Sequence, residues 1–194
     1  MAAAPCGRCQ HSPPPFQRCV AAVDYAFPWD RLVARFKFQQ QAELAGLLAG
    51  VLHNALQQSQ DSQPLQAAPV AAVLPVPLSE ARLAERGYNQ AWELARRLAA
   101  RQGLPAHADW LLRLRDTPHQ VGLQRQARER NLRDALWVPP AAAAALAGRH
   151  LALVDDVMTT GATVTAATQA LLAAGAASVQ VWVLARTPEP SAWP

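Results

Sequence analysis

Apolar positions along this chain switch between two patterns. Continuous apolar runs at Val20 to Phe27, Val70 to Val76, His150 to Val154 and Ser178 to Ala185 read as strands, the first ended by Pro28. Between them the spacing turns helical. Leu32, Val33 and Phe36 set a helix over Arg31 to Phe38, and Leu44, Leu47, Leu48, Val51 and Leu52 another over Glu43 to Leu56. Tyr88 to Ala100 is amphipathic and stops at Gly103-Leu-Pro105; Thr163 to Ala174 is an Ala-rich helix. Gln57 to Pro69 is polar enough to be a linker. Trp110 to Leu114 and Ala135 to Val138 read as short strands, and Ala141 to Gly148 as a helical turn. Strands alternating with helices predict an α/β fold with a mainly parallel central sheet flanked by helices. Ligands of such sheets bind outside the carboxyl ends of the strands.

One strand runs directly into chemistry: Leu151-Ala-Leu-Val-Asp-Asp-Val-Met-Thr-Thr-Gly-Ala-Thr163. Two acids at the carboxyl end, a hydroxyl-rich turn and a helix start make an anion site. Backbone N–H groups from Thr159 to Thr163 can converge, and the helix dipole adds positive potential. Gly161 permits a backbone shape closed to other residues, and Thr159, Thr160 and Thr163 offer hydroxyl donors. Asp155 and Asp156 stand where ribose hydroxyls or a hydrated Mg²⁺ would be held. The plainer alternative is a strand–turn–helix joint whose Asp and Thr side chains are caps. A nucleotide P-loop fits less well than either, because no Gly-Lys-Ser/Thr follows a Gly-rich loop.

Charge adds two further segments. The chain carries a formal +4, and Lys37 is its single lysine, so arginine supplies nearly all the positive charge. Guanidinium forks suit phosphates and nucleic acid. A codon bias toward Ala and Arg explains the scarcity of lysine but not where the arginines cluster. After the second strand, Pro75-Val-Pro-Leu-Ser-Glu-Ala-Arg-Leu-Ala-Glu-Arg-Gly-Tyr-Asn-Gln90 places Arg82 and Arg86 four apart, on one face of a helical turn. Such a pair is either a solvated basic face or a grip on an anion such as pyrophosphate. Gly87 then suggests a turn aiming Asn89 and Gln90 inward. The third segment holds Arg113, Arg115, Arg125, Arg128, Arg130 and Arg133, with an irregular stretch Thr117 to Gly122 suited to a lid over a reactive sugar.

The 151–163 segment resembles the signature with which type I phosphoribosyltransferases bind 5-phosphoribosyl 1-pyrophosphate (PRPP). With Pro75-x-Pro77-Leu78, Arg82, Arg86-Gly87-Tyr88-Asn89-Gln90, and Thr117, Gln120, Leu123 and Arg130-Asn131-Leu132, the chain from Cys6 to Arg186 resembles the ComF family. That resemblance implies a type I phosphoribosyltransferase-like fold and a role in natural competence, DNA uptake or DNA utilisation. It implies PRPP held by Val154, Asp155, Asp156, Thr159, Thr160, Gly161, Ala162 and Thr163, with Mg²⁺ at the aspartates, directly or through water. Arg82 and Arg86 would face the pyrophosphate and share the catalytic role with the aspartates. Single-stranded DNA is an implied partner, with the arginines of the third segment as its track, and a DNA-uptake helicase another. Two other readings stay open: a non-catalytic PRPP-sensing or DNA-binding module, since no His or Glu stands out as a general base, and a nucleobase salvage transferase.

Length and cysteines complete the outline. At 194 residues, 51% hydrophobic, the chain suits one domain, 21–190, with a short appendage, 1–20. Three cysteines argue against a disulfide framework. Relatives carry a zinc knuckle of two Cys-x-x-Cys pairs, whereas here Cys6 and Cys9 form one. His11 and Cys19 are the remaining candidates for a four-ligand Zn²⁺ site, and the expectation is a truncated knuckle. No apolar run is long enough to span a bilayer and no signal-peptide pattern opens the chain. The expectation is a cytoplasmic protein with no membrane insertion.

Overall fold

A computed structural model of the chain describes residues 13–39, 41–62, 68–114 and 135–188, with backbone alone at 61 and 62. Four parallel strands form the central sheet: β1 (Arg18–Asp24), β2 (Ala72–Pro75), β5 (His150–Met158) and β6 (Ser178–Arg186), in the spatial order β1-β6-β5-β2. Two short strands, β3 (Leu112–Arg113) and β4 (Leu136–Trp137), pair antiparallel. The helices are α1 (Trp29–Phe38), α2 (Ala45–Ser62, entered through a 3-10 turn at Ala42–Leu44), α3 (Glu80–Arg86), α4 (Gln90–Gln102), α5 (Pro140–Leu146) and α6 (Ala162–Ala173).

Strand alternation divides the core between the two faces of the sheet. On one face Leu151, Leu153, Val179, Val181 and Val183 pack with Leu146 of α5 and Val164, Ala167 and Leu171 of α6. On the other, Ala152, Val154, Trp182 and Leu184 meet Val33 and Phe36 of α1, Leu48 and Leu52 of α2, and Leu94 and Leu98 of α4. Both faces being covered explains why β6 reads as an almost unbroken apolar run.

The parallel sheet flanked by helices is the architecture that the alternation predicts, with differences in detail. The helix expected to stop at Leu56 runs on to Ser62, into the segment read as linker. Polar Gln57 to Gln60 continue the helix because its apolar side is already seated on the core. Its buried stripe is Ala45, Leu48, Ala49, Leu52 and Leu56, while Leu47, expected inside, is 59% exposed. Strand β5 is longer than expected: pairing with β6 continues through Met158 rather than ending at Val154. The segment expected as a helical turn over Ala141 to Gly148 is a regular helix as far as Leu146, entered at Pro140, a residue suited to the first turn.

Topology brings two of the motifs together. From β2 the chain moves through α4, on one face, to Ala106, which bridges the outer side of β2. From β5 it moves the opposite way, through α6 on the other face, to β6. The order therefore reverses between β2 and β5, where an open α/β sheet has its crevice. The Val76 N–H donates to the Val154 carbonyl at 2.8 Å, closing the strands up to their carboxyl ends. The Arg82–Arg86 helix leaves from one of those ends and the Asp155–Thr163 turn from the other.

Candidate functional site

The carboxyl end of β5 opens onto a cradle of about 40 Å³ lined by Asp155, Val157, Met158, Thr159, Thr160, Gly161, Ala162, Thr163 and Val164. One water needs about 10–15 Å³ of such space, so the cradle is of the scale of a single tetrahedral oxyanion. Gly161 has a φ of +78° and opens α6 without a capping side chain. The first intrahelical bond runs from the Thr165 N–H to the Gly161 carbonyl, 2.9 Å. The N–H groups of Thr163 and Val164 therefore have no partner within the helix, and the Ala162 N–H has a long contact of 3.4 Å to Thr160 Oγ1. Thr159 and Thr160 are exposed at the rim. Helix-start donors and hydroxyls around one hollow make the arrangement suited to a phosphate.

The two aspartates do not share this cradle. The expected strand end at Val154 would have put both in the turn, but β5 carries through them, and of the two only Asp155 lines the cradle, with the Asp156 carboxyl close beside it. Asp155 lines the cradle, and its carboxylate accepts from the Asp156 N–H at 2.9 Å. Burial, and then the neighbouring Asp156 charge, push its carboxyl up to about 8, with Lys37 acting in the opposite direction. Asp156 is 6% exposed, and its Oδ1 lies 3.0 Å from Lys37 Nζ, delivered by α1. Val154, expected among the ligand residues, is fully buried on the α1–α2–α4 face with its carbonyl taken by Val76. It seats the strand rather than facing the hollow.

The Arg-Gly-Tyr-Asn-Gln segment is held tightly. Ser79 caps α3, and Gly87, at φ +78°, ends it. Arg82 and Arg86 do occupy one turn of helix, and neither lines the cradle. Arg86 donates to Gln90 Oε1 at 3.0 Å, and its guanidinium lies 5.2 Å from the ring centre of Phe38. Its Nε and Gln90 Nε2 are buried without a hydrogen-bond partner. Asn89 bonds the backbone on both sides. Its Oδ1 accepts from the Trp92 N–H at 3.2 Å, and its Nδ2 donates to the Val76 carbonyl at 3.1 Å. Those two bonds tie the start of α4 to the end of β2.

Of the third segment, Arg113 lies in β3. Arg115, Arg125, Arg128, Arg130 and Arg133 fall outside the described residues, as do Thr117 to Gly122; the β3–β4 pair brackets the whole stretch. Cys6, Cys9 and His11 are likewise outside them. Cys19 is in β1, packed against the core. Among the described residues no three His, Cys, Asp or Glu side chains gather as a metal site, and no helix is long and apolar enough to cross a membrane.

The chain is similar to known proteins over most of its length. The model of the phosphoribosyl transferase domain matches residues 66–192, from before β2 to beyond β6. The DNA utilization protein YhgH of Salmonella typhimurium is 40% identical over 185 residues, covering 94% of this chain and 78% of its own length. Competence protein F of Haemophilus influenzae is 34% identical over 181 residues, 93% of this chain and 78% of its own. The chain belongs to the ComF family. The Bacillus subtilis competence protein ComFC is 33% identical over 156 residues, 80% of this chain and 58% of its own. Among solved structures, the glutamine PRPP amidotransferase of B. subtilis aligns at TM-score 0.46 and 16% identity, over 78% of this chain and 30% of that one. The hypoxanthine phosphoribosyl transferase of Trypanosoma cruzi aligns at 0.44 and 12%, over 76% of each. Family membership and the parallel sheet flanked by helices define a type I phosphoribosyltransferase-like α/β fold.

Lys37 is the site residue that sequence reasoning missed. The available signal was its singularity, one lysine among 18 lysines and arginines. Nothing in the one-dimensional pattern pointed it at Asp156, 119 positions later by residue number.

Proposed function

We propose that this protein binds PRPP, assisted by Mg²⁺, at the crevice between β2 and β5, and that it serves natural competence, DNA uptake or DNA utilisation. The observation that carries the reading is the cradle itself: Thr159 to Thr163 around a hollow of oxyanion size, with Asp155 at its edge. The names of the relatives, a DNA utilization protein and a competence protein, support the cellular role.

The 5′-phosphate sits in the cradle against the helix-start N–H groups and the Thr159, Thr160 and Thr163 hydroxyls. Asp155 takes the ribose hydroxyls. Mg²⁺ prefers hard oxygens, keeps several waters and uses one or two carboxylates plus substrate phosphates; Asp155 and the rim hydroxyls are a donor set of that kind. Bound, the ion supplies neutralisation of pyrophosphate charge. Arg82 and Arg86, leaving from the neighbouring strand end, are the side-chain cations for the pyrophosphate.

Binding without transfer is the second reading, and one observation favours it: among the described residues, Asp155 is the sole titratable one lining the cradle. The arginines at 113, 115, 125, 128, 130 and 133 are then the natural track for single-stranded DNA, by charge and salt-dependent binding. Thermal melting with PRPP and Mg²⁺ tests the ligand. The protein melts higher with both, and Asp155→Ala reduces the gain. An unchanged wild-type melting temperature refutes the assignment. Pyrophosphate release with an acceptor panel separates transferase from binding module.

A further inference from the structure

Three consecutive residues at the end of α1 each hold a different part of the crevice. The Phe36 carbonyl accepts from the Tyr88 hydroxyl, and the two rings pack with centroids 5.7 Å apart. The Phe38 ring lies against the Arg86 guanidinium. Between them Lys37 places its ammonium 3.0 Å from Asp156 Oδ1, the two side chains being 18% and 8% exposed. In a chain that otherwise uses arginine, this one site has the compact point charge of lysine, which is not interchangeable with a planar guanidinium.

We propose that Lys37 is a positioning residue of the ligand site. Its ammonium is the resident cation on Asp156, doing there what a divalent ion from solution would otherwise have to do, and it makes binding of the anionic ligand less dependent on free Mg²⁺. This rests on the PRPP reading above. A buried carboxylate is tolerated only with a partner. Next to a ligand that carries a phosphate and a pyrophosphate, an uncompensated Asp156 carboxylate would repel it. Lys37 cancels that charge before the ligand arrives and draws Asp156 toward α1. Asp155 alone is left facing the hollow, as the cradle lining shows. The contact also ties the end of α1 to β5, beside the Tyr88 and Arg86 contacts, so α1 closes the crevice from the face opposite α6.

The experiment uses the full chain. PRPP is titrated by thermal shift with Mg²⁺ or with a chelator, for wild type, Lys37→Gln and Lys37→Arg. Chelation should weaken apparent affinity roughly tenfold more in Lys37→Gln than in wild type, a coupling of ordinary size. Lys37→Arg keeps the charge without its compact shape, so its Mg²⁺-free binding should fall between those of wild type and Lys37→Gln. Equal Mg²⁺ dependence in wild type and Lys37→Gln overturns the proposal. A second measurement covers a Lys37→Gln protein that does not fold. Wild type labelled with ¹³C at lysine Cε carries one such side chain. Its NMR signal should move when PRPP is added under chelation. A signal that stays fixed while PRPP raises the melting temperature overturns the proposal. No melting shift in wild type even with Mg²⁺ refutes the PRPP reading itself, and the proposal falls with it.

Discussion

Replacing Gly161 by alanine separates the backbone's part in the cradle from its part in stability. A Cβ there would lie 3.7 Å from Met158 Sδ and 4.0 Å from Val164 Cγ2, ordinary contact distances, so space is not the obstacle. The obstacle is φ, +78°. The left-handed region costs a residue with a Cβ about 1–2 kcal/mol. For a domain of this size 1 kcal/mol moves the melting temperature by about 2–4 °C. Gly103→Ala is the matched control: φ is +66°, nothing lies within 4 Å, and the residue ends α4 outside the cradle lining. Urea unfolding should show both variants destabilised by similar amounts. Ligand binding should divide them. If Gly161→Ala relaxes toward negative φ, the N–H groups of Ala162 and Thr163 turn away from the hollow. Losing one hydrogen bond to a charged group, about 1.5–3 kcal/mol, weakens PRPP at least roughly tenfold. Gly103→Ala should bind as wild type does. Wild-type affinity in Gly161→Ala would refute a phosphate held by the backbone of this turn, and equal loss in both variants would reduce the effect to stability.

Three further outcomes follow from the same geometry. Asp155 has a raised carboxyl pKa, about 8, against about 3.9 in an unfolded chain. The folded state therefore keeps a proton that the unfolded state releases, and stability falls as pH rises across that window. Urea unfolding of the ligand-free protein near either end of the window should show the fall, and Asp155→Asn should flatten it. Leu153→Ala, at a fully buried position of the central strand, should cost about 2–5 kcal/mol by chemical unfolding; a cost below that range would mean β5 is not the middle of the core. Asn89→Ala removes the cap of α4 and the tie to the Val76 carbonyl. A loss of about 1–2 kcal/mol is expected, with no loss showing that water replaces both bonds.

Local physical chemistry made the fold class and the position of the anion turn legible in the sequence. Apolar runs and helical stripes depend on nearest neighbours along the chain, and they placed β2, β6, α4 and α6 within a few residues. The chemistry of 155–163 was readable for the same reason: an acid, hydroxyls, a glycine and a helix start are contiguous, and their convergence needs one turn of backbone. Tertiary structure decided how the strands neighbour one another. The order β1-β6-β5-β2 puts the Arg82 helix beside the Asp155 turn although their strands are far apart in sequence. It also decided the length of β5, because pairing with β6 as far as Met158 holds both aspartates in a strand rather than in the turn that follows. Lys37 shows the limit most directly. Its charge is printed in the sequence, but its partner depends on α1 packing across the sheet face that carries Asp156. Burying Val33 and Phe36 against that face sets the contact, and no local pattern records it.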